Sequence, residues 1–253
     1  MKSAQFSLIF RHYIRRMIRG WFGLFIFIVL PVVIAALISF IYSQNTTENI
    51  YANGFNMVST RISIYMMLLF QLNGGIYLLD FLNHDLFKPM KWRLKASPCQ
   101  THTLIYAGTV ACTVFTTLQG LLIIAASTLL LDAYWGNLWV TILVVIFISL
   151  ISQLMNMLLF VLVRNVSAAE SLSWLIASIM AMLGGVMFSL PDNAFFRFMK
   201  EYGTPYSLAQ SAILESGFPG TSETGVWVYL TGLFGIVVLL CMLAVPIGRR
   251  KLL

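Results

Sequence analysis

Charged side chains are scarce in this chain: they make up 10% of its 253 residues, and only nine residues are acidic. Soluble domains carry about 25% charged residues, because polar groups must cover much of their exterior. Hydrophobic residues instead reach 59%, and the mean hydropathy is +0.86. The composition therefore excludes a soluble globular enzyme and indicates a polytopic membrane protein, in which the position of each charge matters more than the net charge of +7.

Several sequence motifs of catalysis and metal binding are also missing. There is no G-x-x-x-x-G-K-[ST] phosphate loop, so we expect no nucleotide hydrolysis by this chain. The H-E-x-x-H and G-x-S-x-G motifs of membrane proteases and esterases are absent, and the three cysteines show no disulfide framework. One loop holds His84, Asp85, Cys99 and His102. These residues lack the paired spacing of metal ligands, so we expect no metal site and no cofactor on this chain.

Long apolar runs dominate the remainder of the chain. A hydrocarbon core about 30 Å thick needs about 20 apolar residues per helix. Six runs meet this length: 21–42, 61–82, 105–131, 137–163, 168–190 and 226–248. The sequence therefore predicts an all-α polytopic membrane protein with a single transmembrane domain over residues 1–253. The first run is longer than the apolar part of a signal peptide, so we expect it to span the membrane rather than to be cleaved.

The basic residues lie almost entirely on one side of these six runs. All but three of the 16 Lys and Arg residues fall in the N-terminal stretch, the loop after the second run, the turn after the fourth run and the C-terminal tail. The alternate loops hold only Arg61, Arg197 and Lys200, together with most of the acids. The positive-inside rule places the basic side in the cytoplasm. We expect a multi-pass protein of the bacterial plasma membrane with both termini cytoplasmic.

The N-terminal segment, residues 1–20, is too polar to cross the bilayer but has two distinct faces. Helical spacing places one set of apolar residues on one face: Phe6, Ile9, Phe10, Tyr13, Ile14 and Met17. Arg11, Arg15 and Arg19 lie on the opposite face. This pattern predicts an amphipathic helix in the cytoplasmic membrane interface, with the arginines near anionic headgroups. The alternative is a basic leader that only sets the orientation of the first span.

The longest polar stretch on the other side of the membrane is 191–225, and it mixes aromatic residues with prolines. Its first part, 191–215, predicts one or two short amphipathic helices. Helices that dip part-way back into the membrane satisfy their own backbone hydrogen bonds. A re-entrant helix and a plain extracellular loop therefore both fit this stretch.

The loop between the second and third runs concentrates charge beside large apolar residues. Phe87, Met90 and Leu94 follow helical spacing, and lysines repeat the same spacing on the neighbouring face. The segment Ser97-Pro98-Cys99-Gln100 has the pattern of a capping box that opens the next helix. The sequence predicts a short cytoplasmic helix over 84–97. It is either a basic loop that binds lipid headgroups or a helix that docks on a cytoplasmic partner, with the contact residues Phe87, Met90, Lys91, Trp92, Arg93, Leu94 and Lys95.

Uncharged polar residues lie near the centres of the apolar runs: Gln71, Asn73, Gln119, Gln153 and Asn156. At such depth a polar side chain hydrogen-bonds to another helix or lines a substrate path. Acidic residues occur only near the ends of the runs. Proton- or sodium-coupled carriers usually need an ion site near the midplane, so the pattern disfavours a secondary transporter.

In several segments the chain resembles the ABC-2 family of ATP-binding-cassette permeases, the type V exporter fold. A basic amphipathic helix precedes the first span. The segment "LKASPCQTHTLIYAG" is similar to the family's L-x-x-[ST]-P pattern, which leads to a glycine that opens the third span; Leu94, Ser97, Pro98 and Gly108 occupy those places.

Two further features carry the resemblance: a glycine-rich end of the fifth span, "MLGGVMFSLP", followed by the proline-marked "TPYSLAQSAI", and a short basic tail after the sixth span. The chain also departs from the family. Asp85 is the acid nearest to the place of a family Glu early in the loop between spans two and three, and Thr109 replaces a Lys after the glycine.

The resemblance implies a permease that pairs with itself or with a related chain and binds two ATPase subunits, which hold ATP and Mg. The 84–97 helix would then be a coupling helix seated on the ATPase, and spans one and five would enclose the substrate path. This implies a transport subunit rather than an enzyme, with no nucleic-acid partner. The apolar and amide-bearing spans favour a hydrophobic or amphipathic cargo, such as a bacteriocin-like peptide or a drug. Alternatives are a lipid or polysaccharide exporter, a stand-alone channel or carrier, and an assembly factor without a transport path.

Overall fold

The structure, a computed structural model, describes residues 2–45, 51–52, 55–86, 101–163, 165–185, 191–218 and 225–252. Its elements are α1 (Lys2–Arg19), α2 (Trp21–Asn45), β1 (Tyr51–Ala52), β2 (Phe55–Asn56), α3 (Met57–Asn73), α4 (Ile76–Leu86), α5 (Thr101–Leu131), α6 (Leu138–Leu162), α7 (Val166–Leu183), α8 (Ala194–Phe198), a π-helical turn (Met199–Gly203), α9 (Pro205–Gly217) and α10 (Val226–Leu252). The two strands form one antiparallel hairpin, in which Ala52 pairs with Phe55.

Within the described residues, six stretches of helix are long and apolar enough to cross a membrane: Phe25–Tyr42, Met57–Asp85, Thr103–Leu131, Leu138–Leu162, Val166–Leu183 and Val226–Ala244. The prediction of an all-α protein with six membrane spans is confirmed. The second span differs from the uninterrupted run in the sequence, because it is built from two helices, α3 and α4, joined at Gly74–Gly75.

Polar residues before the helices determine where several of them begin. The side chain of Asn56 accepts hydrogen bonds from the backbone N–H groups of Val58 and Ser59 at the start of α3. Asn137 caps α6 in the same way, and Asn165 caps α7. Thr204 caps α9, with Pro205 in its first turn. These side chains satisfy N–H groups that have no partner within the helix.

The second span lies at the centre of the bundle, and three other spans lie at its edge. In the apolar stretch of the second span, 72% of the residues are buried within the chain. The corresponding values for α2, α7 and α10 are 22%, 22% and 17%. Large apolar side chains therefore project outward from these three helices, where lipid or another membrane protein must cover them.

Two large apolar cores hold the described part of the bundle together, beside a small cluster of Ala35, Ile62 and Met66 between α2 and α3. The α9 core joins α2, α3, α5, α6, α7, α9 and α10, and includes Leu72, Ile148, Ala181, Ala209 and Leu233. The α1 core joins α1, α4, the start of α5, the end of α6 and the start of α7. Helix association in a membrane depends on close packing rather than on the exclusion of water. The alanines shared by α7 and α9 permit such an approach in the α9 core.

Candidate functional site

A buried carboxylate, Asp85, joins the N-terminal helix to the end of the second span. The Tyr13 hydroxyl donates a hydrogen bond to Asp85 Oδ2 over 2.6 Å. Arg16 Nη1 lies 3.3 Å from Asp85 Oδ1, and the Arg16 guanidinium carbon lies 4.5 Å from the centre of the Phe81 ring. A second, longer ion pair joins Arg16 Nη2 to Asp80 at 3.9 Å. We call this set of contacts the Asp85 junction.

The electrostatics of the Asp85 junction keep the Tyr13 hydroxyl neutral beside the Asp85 carboxylate, which is paired with Arg16. Burial, followed by the negative charge of Asp85, raises the pKa of Tyr13 far above its ordinary value. The hydroxyl therefore stays protonated and continues to donate to the carboxylate. A buried charge that lost its partners would be destabilising by several kcal/mol, in contrast to an exposed ion pair on a surface. The junction thus connects α1 to α4 through charge-assisted contacts.

The two faces of α1 are those that the sequence predicts. Tyr13 and Met17 are buried in the α1 core, and Ile9, Phe10 and Ile14 pack against it. Phe6 is partly buried and stacks on Phe10, with ring centres 6.4 Å apart. Arg11, Arg15 and Arg19 are exposed on the other side. Much of the apolar face therefore contacts α4 and α5 of the protein itself, and the interfacial position of the helix in a membrane stays a prediction.

The predicted coupling helix lies largely outside the described residues. The structure describes α4 as far as Leu86, and α5 begins at Thr101. Every predicted contact residue falls between these points: Phe87, Met90, Lys91, Trp92, Arg93, Leu94 and Lys95. Asp85 is only two residues before Phe87. The Asp85 junction therefore holds the helix from which that segment continues.

The polar residues predicted for a substrate path are all buried inside the chain. Gln71 Nε2 donates to the Thr116 carbonyl over 2.8 Å, and Gln153 Nε2 donates to the Gly74 carbonyl over 3.3 Å. Asn73 and Asn156 donate to carbonyls one turn earlier in their own helices, and Gln119 Nε2 lies 3.4 Å from the Phe27 carbonyl. These bonds support the alternative role of hydrogen bonding within and between helices. A role in a substrate path stays a prediction.

Span two loses its regular hydrogen bonding at Gly74–Gly75. The Gly74 N–H bonds to Gln71 O, three residues back, while the Gly75 N–H donates over 2.7 Å to the hydroxyl of Ser152 on α6. That hydroxyl in turn donates to the Leu72 carbonyl. A Cβ at Gly75 would overlap Asn156 Nδ2 and the Ser152 carbonyl oxygen. Glycine is required at position 75 because α6 approaches the backbone closely.

The segment after the fifth span contains the two short helices α8 and α9, separated by the π-helical turn. Helix α9 is buried among α3, α6, α7 and α10, with Tyr206 and Ala209 fully buried. The Tyr206 hydroxyl donates over 3.0 Å to the Tyr65 carbonyl in α3. Tyr229 in α10 donates over 2.9 Å to Glu201 in the π-helical turn. The depth of α9 in the membrane stays a prediction.

Among the residues that the structure describes, no group of three or more His, Cys, Asp or Glu residues could hold a metal ion.

Comparison with known proteins identifies the family. A comparison with curated proteins finds no match. The family model described as ABC-2 type transporter matches residues 4–218, which extend from α1 to the residue after α9. The chain therefore belongs to the ABC-2 type transporter family and is the membrane-spanning component of an ABC transporter, a partner of ATP-binding cassette subunits.

Proposed function

We propose that this chain is a permease subunit of an ATP-driven exporter that moves a hydrophobic or amphipathic molecule, such as a bacteriocin-like peptide or a drug, out of a bacterial cell. Two copies, or this chain and a related one, form the path. Two ATPase subunits bind ATP and Mg and hydrolyse the nucleotide. The observation that carries this proposal is the Asp85 junction. It joins α1 to α4, the helix that leads into the segment proposed to meet the ATPase.

The segment 84–97 transmits movement in this proposal. Closure of the ATPase pair displaces the segment, and α4 moves with it because α4 continues into the segment. The Tyr13 and Arg16 contacts with Asp85 carry α1 along with α4. Helix α1 also packs against α5, so the displacement reaches spans two and three together. The basic residues of the segment then orient it, while its apolar residues supply the contact area.

The helices at the edge of the bundle would supply the substrate path. Aromatic rings connect α2, α3 and α7: Phe27 lies 6.0 Å from Phe70, and Phe70 lies 6.2 Å from Trp174. Trp174 is 39% exposed on the outward side of α7. Aromatic rings offer large apolar contact areas and can also attract cationic groups. This surface suits an apolar or amphipathic cargo better than a strongly polar saccharide.

Co-purification with the ATPase subunit tests the proposed coupling. Phe87→Asp or Leu94→Asp places a charge in the apolar contact, and we expect each variant to lose most of the bound ATPase. Phe195→Asp is a matched control, because Phe195 is 60% exposed on α8, after the fifth span. It should retain the ATPase. Purification of the wild-type chain alone, with movement of solute in the absence of ATP, would contradict the proposal and favour a stand-alone channel or carrier.

Cysteine labelling tests the proposed orientation. In a background without the native cysteines, Ser7→Cys on exposed α1 should react with an impermeant maleimide only after the cells are opened. Ala194→Cys, which is exposed at the start of α8, should react in intact cells. The reverse pattern would place both termini outside and contradict the export geometry.

Cargo can be identified by stimulation of ATP hydrolysis in the reconstituted complex. Amphipathic peptides, hydrophobic drugs, lipids and saccharide precursors are compared at matched concentrations. We expect the first two classes to stimulate hydrolysis, and Trp174→Ala to raise the concentration needed for half of the effect. Stimulation by saccharide precursors alone would assign the other cargo class to the same permease.

A further inference from the structure

A layer of polar side chains lies where the two large apolar cores meet, in the middle of the spans. We define this polar layer as Gln71, Asn73, Thr116, Ser149, Ser152, Gln153 and Asn156. Along span two, Gln71 and Asn73 fall on either side of Leu72, between Leu68 of the α9 core and Leu78 of the α1 core. Along α5, Phe115 of the α1 core precedes Thr116, and along α6, Phe160 of the same core follows Asn156. The layer therefore crosses three spans at the level of the Gly74–Gly75 break.

In the polar layer the amide NH₂ groups have acceptors, but the amide oxygens lack donors. Among the described residues, no donor reaches the side-chain amide oxygens of Gln71, Asn73, Gln153 and Asn156, although all four residues are fully buried. A buried acceptor without a donor is unfavourable, because it has lost its hydrogen bonds to water and gained none in the protein. Buried polar groups in folded proteins are almost always hydrogen-bonded, so four such oxygens in one layer need donors.

Rotation of the amide groups does not remove this deficit. The Gln71 and Gln153 NH₂ groups donate to the Thr116 and Gly74 carbonyls, which cannot themselves donate. Asn73 and Asn156 likewise donate to the backbone carbonyls of Leu69 and Ser152. Exchanging oxygen and nitrogen would bring two acceptors together at each of these positions. The orientation of the four amides is therefore set by the backbone, and their oxygens are left to accept from another molecule.

The chemistry of the polar layer selects the kind of molecule that can bind. Its members are all uncharged at neutral pH, and the carboxylates of the second span, Asp80 and Asp85, lie in the last turns of α4 beside Arg16. A cation held only by neutral amides inside a membrane would lose its hydration without gaining a counter-charge. Water needs no counter-charge, and each molecule offers two donors to an acceptor-rich group. We propose that the polar layer binds a small group of water molecules that donate to these four amide oxygens.

Bound water would also give span two a place to bend. At the break, the Ser152 hydroxyl already replaces the regular helical partner of the Gly75 N–H. Hydrogen bonds through water can change partners with little loss of energy, whereas the apolar cores on either side resist deformation. If the proposed coupling operates, α4 can tilt relative to α3 at this level. The presence of water itself does not depend on that function.

Radiolytic hydroxyl-radical labelling of the full chain in lipid nanodiscs tests the proposal, because ionised bound water modifies the side chains beside it even when they are buried. Leu72, adjacent in sequence to Gln71 and Asn73, reports on the polar layer. Leu82 and Leu233 are leucines of equal burial in the α1 core and the α9 core, respectively. We expect Leu72 to be labelled several-fold faster than both. Equal rates for the three leucines would overturn the proposal.

Substitutions of the amide residues test whether the labelling rate of Leu72 depends on the polar layer. Gln153→Leu should bring the rate at Leu72 down toward that of Leu82, and Asn156→Leu provides the same test if the first variant does not fold. Gln210→Leu is the matched control, because Gln210 is also a buried amide with an unpartnered oxygen but lies on α9, away from the layer. It should leave the Leu72 rate unchanged. A melting temperature that rises with Na⁺ or K⁺ but not with choline would assign the site to a cation and contradict the assignment to water.

Discussion

The hydroxyl of Tyr13 and the carboxylate of Asp85 meet at 2.6 Å, although 72 residues separate them in the chain. Both side chains are buried, and Arg16, one turn after Tyr13, pairs with the same carboxylate. The N-terminal helix therefore does more than carry basic residues near the membrane. It is attached to the end of span two, next to the segment proposed to meet the ATPase.

Loss of the Tyr13 hydroxyl should destabilise the chain and change its response to alkali. A hydrogen bond to a charged group contributes about 1.5 to 3 kcal/mol, so Tyr13→Phe should lower the free energy of unfolding by that amount. The folded state raises the pKa of Tyr13 above its unfolded value. The stability linked to this group is therefore complete below the ordinary tyrosine pKa of about 10 and declines as the pH rises above it. The free energy of unfolding of the wild type and of Tyr13→Phe, measured from pH 7 to 11, should decline less in the variant.

Tyr106→Phe, at a half-exposed tyrosine, serves as the control for Tyr13→Phe. An unchanged stability of Tyr13→Phe would contradict the buried hydrogen bond.

The two neighbouring arginines of α1 should behave differently. Arg16 pairs with Asp85 and lies over Phe81, whereas Arg15 is exposed. Arg16→Ala should lower both the melting temperature and the ATP hydrolysis stimulated by cargo in the reconstituted complex, because it leaves a buried carboxylate short of a partner. Arg15→Ala should keep the melting temperature within error of the wild type. Equal effects of the two substitutions would show that net charge, rather than the Asp85 junction, is responsible.

A side chain at Gly75 should be poorly tolerated. Its Cβ would overlap Asn156 Nδ2 and the Ser152 carbonyl oxygen, so Gly75→Ala has to displace α6 or span two. Overpacking of this kind costs about 1 to 3 kcal/mol, measurable by thermal unfolding in detergent. Gly235→Ala on α10 is the matched control, since no atom lies within 4 Å of its Cβ position. That substitution should instead stabilise its helix by about 0.5 to 1 kcal/mol. A neutral Gly75→Ala would show that α6 does not approach the backbone as closely as the structure indicates.

The exposed arginines of α1 should select anionic lipid. A basic residue near an anionic membrane surface contributes about 1 kcal/mol. The triple variant with Arg11, Arg15 and Arg19 changed to Gln should therefore retain less phosphatidylglycerol relative to phosphatidylcholine, measured by native mass spectrometry of the full chain from mixed nanodiscs. Arg197→Gln on α8 is the control and should leave the lipid ratio unchanged. An unchanged ratio in the triple variant would favour a role of these arginines in orientation alone.

Much of the fold could be predicted because the features that specify it are local. A run of about 20 apolar residues is sufficient to predict a membrane helix, and this accounts for the six confirmed spans. Helical spacing alone separated Tyr13 and Met17 from Arg11 and Arg15 on α1. The interruption of span two was missed, since its apolar run continues through residues 74 and 75. The two adjacent glycines were the available signal, because glycine weakens a helix.

The candidate site was harder to predict from the sequence, because its contacts join distant parts of the chain. The resemblance directed attention to Asp85 without identifying its partners, and only the packing of α1 against α4 supplies Arg16 and Tyr13. Gln153 and Asn156 could be recognised as needing hydrogen bonds. Their partners, at Gly74 and within α6 itself, depend on how α6 crosses the second span.

Composition and residue order were thus sufficient to predict that this chain crosses a membrane six times and that α1 has a basic face, and the missing phosphate loop led to the expectation that another chain hydrolyses ATP. Hydropathy and helical periodicity act over one or a few turns, so they can be read from the sequence directly. The tertiary structure decided which faces meet: the burial of the Asp85 carboxylate beside α1, the two large apolar cores, and the polar layer where they meet. A buried charge or amide needs a partner, and in a folded helical bundle that partner is chosen by three-dimensional packing rather than by proximity in sequence.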